Sequence, residues 1–234
     1  MQSTQRISLK RGAGDIIGLW VMAALIGLLP LFFLVLGVWM ISTGDSIGYI
    51  LLLFAAPMLA MLALVVNEGV ARQSVRVTLE GDNIHLRLPK RRGYIAFEPV
   101  NEAVSRAAIA AIETRAEAYR GMGTIAIQRV FALVLKDGRR IMLGADRPMI
   151  APFFAEAANT IAAQTNLPIR DLGMVDGKAG FLLVAGASAP PWDAPALAPA
   201  TAEKRAAHAT WGLRIALWIA LGALAISALA RLGG

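Results

Sequence analysis

The chain has no cysteine. That excludes a disulfide framework, a thiol nucleophile and any thiolate metal site. Histidine is nearly as scarce, with His85 and His208 alone. Neither stands in a triad-like setting, and no second histidine or carboxylate cluster accompanies His85, so its simplest reading is a solvated residue on a polar strand face. The short stretch Ser42–Ser46 between two long apolar runs contains neither Lys nor Arg.

What is present in excess is apolar. Hydrophobic residues make up 57% of the 234 residues, against about 45–50% in a soluble domain, and mean hydropathy is +0.59. The excess gathers in 16–66 and in the last stretch of the chain. Residues 16–41 and 47–66 are each long enough for a spanning helix, which needs about 20 apolar residues, and the five residues between them suffice only for a turn. A transmembrane hairpin is therefore expected. Residues 1–15 read as a polar N-terminal segment. The first run exceeds the h-region of a signal peptide and has no small-residue cleavage site after it, which predicts an uncleaved helix. Pro30 predicts a kink that a membrane helix tolerates. Trp20 and Trp39 sit near its ends, where indoles favour the interface. Gly14 and Gly18 form a single GxxxG pair, more simply chance than a helix seam. Gly44-Asp45-Ser46-Ile47-Gly48 matches the nucleophile-elbow pattern, but an apolar helix stands where the elbow needs a strand, so the match is discarded.

Net charge is +7, with 18 Arg and 5 Lys. Arg6, Lys10 and Arg11 precede the first run, and Arg72 and Arg76 follow the second. The positive-inside rule places both of these ends in the cytoplasm.

Beyond the hairpin the pattern changes period. Val75, Val77 and Leu79 alternate with polar residues, Gly81-Asp82-Asn83 supplies a turn, and Ile84, Leu86 and Leu88 alternate again, which predicts a β-hairpin. Pro89-Lys90-Arg91-Arg92-Gly93 is a basic loop, and Tyr94–Phe97 reads as a further short strand. A short helical turn and a strand over 109–119 follow. Residues 125–135, the turn Lys136-Asp137-Gly138-Arg139 and 140–143 read as a second hairpin. Asp146 is a candidate N-cap, with Pro148 in the first turn. Met149, Ile150, Phe153, Phe154, Ala157, Ala158 and Ile161 recur at helical spacing, predicting an amphipathic helix of about five turns. Strands followed by one such helix predict a small β-sheet or partly open barrel, closed by the helix.

On these stretches, above all Arg76–Leu88 and Arg129–Ala163 with its Lys136-Asp137-Gly138-Arg139-Arg140 turn, the region 71–168 resembles bacterial membrane proteins with a pleckstrin-homology-like domain. The resemblance implies a binding or assembly module without catalytic residues, and no ligand residues carry over from it.

Residues 169–203 read as an irregular segment, in which an extra strand or an interfacial stretch before 186 stays open, and a Pro/Ala-rich linker returning the chain to the membrane. Residues 211–232 read as a third transmembrane helix. The predicted whole is an α+β membrane protein of the bacterial inner membrane, with the soluble domain and N-terminus cytoplasmic and the C-terminus periplasmic. In that topology 22 of the 23 basic residues lie on the cytoplasmic side.

The functional expectation is a membrane-anchored binding, accessory or assembly subunit, with membrane lipids and other membrane protein subunits as partners. An alternative is an anionic-headgroup sensor in which Lys90, Arg91, Arg92, Arg139 and Arg140 contact lipid or partner, each charge contributing about 1 kcal/mol near an anionic surface. Glu113, Arg115 and Glu117 could share one strand face, with Glu98, Glu102 and Asp137 as loop or turn acids, and paired carboxylates can do acid–base work. Alternation of Glu and Arg more often means an exposed, cross-strand-paired face. No catalytic, cofactor or metal site is expected. Nucleic acid is not expected as a partner either, because the basic residues are dispersed and no aromatic stacking platform accompanies them.

Overall fold

A computed structural model describes residues 6–10, 12–121, 124–148, 152–178 and 188–211. The chain divides into two compact units, the first made of Met1–Arg92 and Ala96–Ala107, the second of Gly93–Ile95 and Ala108–Gly234.

The first unit contains a helical hairpin and a sheet. Helix α1 spans Ala13–Ser42 and helix α2 spans Ile47–Gln73. Between them Gly44 takes φ +86°, and Asp45 accepts a hydrogen bond from the Ile47 N–H. The helices touch through Gly27, Gly37 and Gly48: a side-chain carbon at Gly37 would meet the Gly48 carbonyl, and one at Gly48 would meet the backbone of Gly37 and Ile41. Small residues at a helix–helix seam let the two backbones approach closely. Gly14 and Gly18 face open space, so the GxxxG pair is no part of this seam. Residues Ile16–Ser42 form a helix long and apolar enough to cross a membrane. Three such helices were expected. Among the described residues α1 alone meets that measure, because the apolar stretch of α2 is the shorter Ile47–Leu59. The third expected span, 211–232, lies outside the described residues apart from Trp211.

Strands β1 (Ile7–Leu9), β2 (Arg76–Glu80), β3 (Asn83–Leu88) and β4 (Val100–Ser105) form an antiparallel sheet in that order. The predicted hairpin is β2–β3, registered Val77↔Leu86 and Leu79↔Ile84. Alternation buries Val77, Leu79, Ile84, Leu86, Leu88 and Val104 on one face. The polar N-terminal segment, for which no strand was expected, supplies β1 and pairs Ile7 with Leu79. The residues that precede α1 and follow α2 are thus hydrogen-bonded to each other. The expected strand at Tyr94–Phe97 is only an isolated bridge between Arg91 and Ala96.

The second unit holds β5 (Ile109–Gly121), β6 (Thr124–Leu135), β7 (Arg140–Asp146), α3 (Phe154–Thr165) and β8 (Ile169–Gly177). Its sheet order is β7-β6-β5-β8, with β8 parallel to β5 and the other pairs antiparallel. Gly138, at φ +85°, turns the β6–β7 hairpin. Helix α3 buries Phe154, Ala157, Ala158 and Ile161, the expected i, i+3, i+4, i+7 stripe. It is shorter than five turns. Asp146 acts from outside the helix: its carboxylate accepts the N–H groups of Phe153, Phe154 and Ala155 at 2.7–3.0 Å, the donors that a helix start leaves without partners.

The single small sheet or partly open barrel is therefore replaced by two four-stranded sheets. Helix α3 does not close the chain's β structure, since β8 follows it. The stretch expected to be irregular begins with this strand, which carries only one buried side chain, Val175, and so has little of the alternation that marks a strand in sequence.

Candidate functional site

The second unit carries a buried polar cluster at its centre. In β5, residues 113, 115, 117 and 119 point to one face, as period-2 geometry requires. The Arg115 side chain is 1% exposed and that of Glu117 is 0% exposed. Arg115 donates through Nε and Nη2 to Glu117 Oε1 at 3.0 and 2.7 Å. Glu117 Oε2 accepts from the Tyr119 hydroxyl at 2.5 Å and from Gln128 Nε2 at 2.9 Å. Gln128 in turn accepts from the Tyr94 N–H through Oε1. Burial first, and then the negative charge of Glu117, hold the Tyr119 phenol well above its ordinary pKa. Gly177, registered beside Tyr119, leaves the space that the tyrosine ring fills.

The cluster is roofed by the segment expected to be an extended linker. Arg115 Nη1 donates to the Pro191 carbonyl at 2.7 Å, and Nη2 to the Pro190 carbonyl at 2.8 Å. The Trp192 ring lies over the Arg115 guanidinium at 4.1 Å, and its Nε1 donates to Glu113 at 2.7 Å. Leu197 donates its N–H to the Met174 carbonyl, and Arg205 pairs with both oxygens of Asp176. Residues 188–205 thus form a strap along the second sheet. The expectation of an exposed Glu/Arg face on β5 is overturned. Every charge on that face has a partner, and the Glu117 carboxylate, sealed and hydrogen-bonded at both oxygens, is built to hold the strap down.

The five basic residues singled out in the sequence separate. Lys90 and Arg91 are exposed in the first unit. Arg92 is 3% exposed, which corrects its reading as a turn-tip contact. Its Nη1 donates to the carbonyls of Leu88, Pro89 and Glu98, and its guanidinium lies 5.2 Å from the Phe97 ring centroid. Burial lowers its pKa to about 10, so it is a cation at neutral pH that ties the loop to itself. Its acceptors are backbone carbonyls, which leave no trace in sequence. In the second unit Arg139 lies on the exposed β6–β7 turn 3.9 Å from Asp137. Arg140 pairs with Glu113 at 3.3 Å and faces the Trp192 ring at 5.0 Å. Lys90, Arg91, Arg139 and Arg140 remain at the surface, Arg140 with its charge already engaged by Glu113.

His85 is exposed on the polar face of β3. Among the described residues no group of three or more His, Asp or Glu is placed to hold a metal ion. The strongest surface feature is apolar: Leu25, Leu28, Phe32, Val35 and Trp39 on α1, and Tyr49, Ile50, Leu53 and Phe54 on α2, are 55–73% exposed. The chain matches no protein-family model, and neither the curated proteins nor the solved structures yield a match to it.

Proposed function

We propose that this chain is a membrane-anchored binding or accessory subunit of a bacterial inner-membrane complex. The observation that carries the reading is the exposed apolar surface of the α1–α2 hairpin. Water does not sustain a contiguous apolar patch larger than a few hundred Å², so lipid or an apolar partner covers these residues. Two features support the topology. The β1–β2 pairing joins the chain before α1 to the chain after α2, which keeps both ends of the hairpin on one side. The basic residues flanking those ends favour the cytoplasm for that side under the positive-inside rule. The two sheets then lie in the cytoplasm, in keeping with the resemblance to pleckstrin-homology-like membrane proteins. The sheets and the hairpin surface are the docking faces for other subunits.

Carbonate extraction of native membranes should leave the full chain in the pellet. Mild-detergent purification followed by mass spectrometry should then recover a stoichiometric membrane protein partner. Release by carbonate would refute the anchor, and recovery only as a free monomer would refute the accessory role.

A further inference from the structure

On the outward face of the first sheet, β2 and β3 set Arg76 directly across from Arg87, and β3 sets Arg87 across from Asn101 on β4. Directly opposed side chains stand about 4.5–5.5 Å apart at Cβ, and like charges so placed destabilise a sheet. The neighbouring row is Thr78, His85 and Ala103. The two rows line one cleft of about 320 Å³, together with Leu86 and Glu102. Arg76, Arg87, His85 and Asn101 are exposed. Among the described residues neither arginine has an ion-pair or hydrogen-bond partner in its side chain. Other arginines of this chain are matched: Arg6 with Glu80, Arg129 with Asp171, Arg205 with Asp176. Glu80, the one carboxylate of β2, is two residues beyond Thr78 and engaged with Arg6. Glu102 is the sole carboxylate lining the cleft, and strand parity sets it on the opposite face from Asn101.

The row also has a position in the chain. Arg76 opens β2 three residues after α2 ends at Gln73. The β1–β2 register, continued one step past Leu9↔Val77, brings Lys10 opposite Arg76, just before α1 begins. The cationic row is thus at the end of the sheet from which both helices leave.

We infer that the Arg76–Arg87 row, with Asn101, Thr78 and His85 beside it, is a binding site for a phosphate-bearing anion. Two opposed guanidiniums present planar N–H forks that match phosphate oxygens, and Thr78 and Asn101 add neutral donors. A bound anion converts the cross-strand repulsion into attraction. The same chemistry fits a phospholipid headgroup or free phosphate. A lipid source rests on the membrane-anchored reading above, whereas the anion site does not.

The test uses the full chain purified in detergent. Native mass spectrometry with added phosphatidylglycerol or phosphatidylcholine reads the lipid arm, and thermal stabilisation by inorganic phosphate reads the free-anion arm. In wild type, phosphatidylglycerol adducts should exceed phosphatidylcholine adducts if the source is lipid, and inorganic phosphate should raise the melting temperature if it is free phosphate. Arg76→Gln/Arg87→Gln should weaken the effective probe about thirtyfold, from two charges near the surface. Arg76→Lys/Arg87→Lys should restore most of the binding, and Lys90→Gln/Arg91→Gln should leave it unchanged. Without anion, Arg87→Gln should melt above wild type, because it relieves the opposed pair. Wild type and the double Gln variant behaving alike in both arms would overturn the site. So would an Arg87→Gln variant that folds and melts below wild type without anion. Both variants should stay in the carbonate pellet, so loss of the anion site and loss of the anchor are separately visible.

Discussion

Replacing Arg115 by Met tests whether the strap is held by a buried charge pair. The guanidinium makes two hydrogen bonds to Glu117 and one each to Pro190 and Pro191, and stacks on Trp192. Its removal leaves the Glu117 carboxylate sealed with only the Tyr119 hydroxyl and Gln128 amide as donors. Breaking a buried pair in this way costs about 3–5 kcal/mol. Loss of the arginine–indole contact adds ~0.5–2 kcal/mol, while the strap carbonyls, in less buried residues, regain water. Glu117→Gln should cost a similar amount, because it leaves the buried guanidinium without a counter-charge instead. The double variant removes both charges and should fall short of the sum of the singles by about 3 kcal/mol, since residues in one network do not add. Urea unfolding of the full chain in detergent, followed by circular dichroism, provides the four corners of the cycle. Single losses below ~1 kcal/mol that add within ~0.5 kcal/mol would refute the claim that this pair is sealed under the strap.

Gly48→Leu should lose about 1–3 kcal/mol by forcing a side chain into the α1–α2 seam, whereas Gly14→Leu, at an open position, should change stability by less than ~0.5 kcal/mol; detergent unfolding of both variants provides the comparison. Asp146→Ala should lose about 1–2 kcal/mol, as for an N-cap, and hydrogen exchange should quicken at Phe153, Phe154 and Ala155, whose N–H groups it bonds; unchanged exchange would show that the cap is idle. Tyr119 has a folded pKa above its unfolded value, so its contribution is complete below about pH 10 and is lost as pH rises further. Ultraviolet titration should show one of the three tyrosines failing to ionise until the protein unfolds, and Tyr119→Phe should remove that late step. Asp171 is moved the other way. Its burial opposes ionisation, but the hydrogen bonds from Arg129 and the Gly173 N–H, with the Arg129 charge, leave its pKa below 3.8. Its share of stability is therefore present above that value and lost on acidification below it. A carboxyl nuclear magnetic resonance titration that changes on Arg129→Gln would check the cause.

The hairpin, the β2–β3 and β6–β7 turns and the stripe of α3 were legible in the residues because each depends on local order alone. Runs of apolar residues, period-2 alternation, Asp137-Gly138 and the 154, 157, 158, 161 spacing constrain the backbone wherever the segment is placed. Even the capping role of Asp146 could be read, although it acts across seven to nine residues rather than as the adjacent cap. What the tertiary structure decided were the long-range pairings. That Ile7–Leu9 joins β2 across a helical hairpin depends on where that hairpin returns the chain. That Ile169–Gly177 is a strand depends on a free edge of β5, since the segment itself scarcely alternates. Glu113, Arg115 and Glu117 have the alternation of a wet strand face and would be one without Pro190, Pro191 and Trp192 above them. Arg92 has the composition of a surface turn, yet three carbonyls and the Phe97 ring surround it. Charge and hydropathy in a sequence describe what a residue needs; burial is decided by what other segments bring to it.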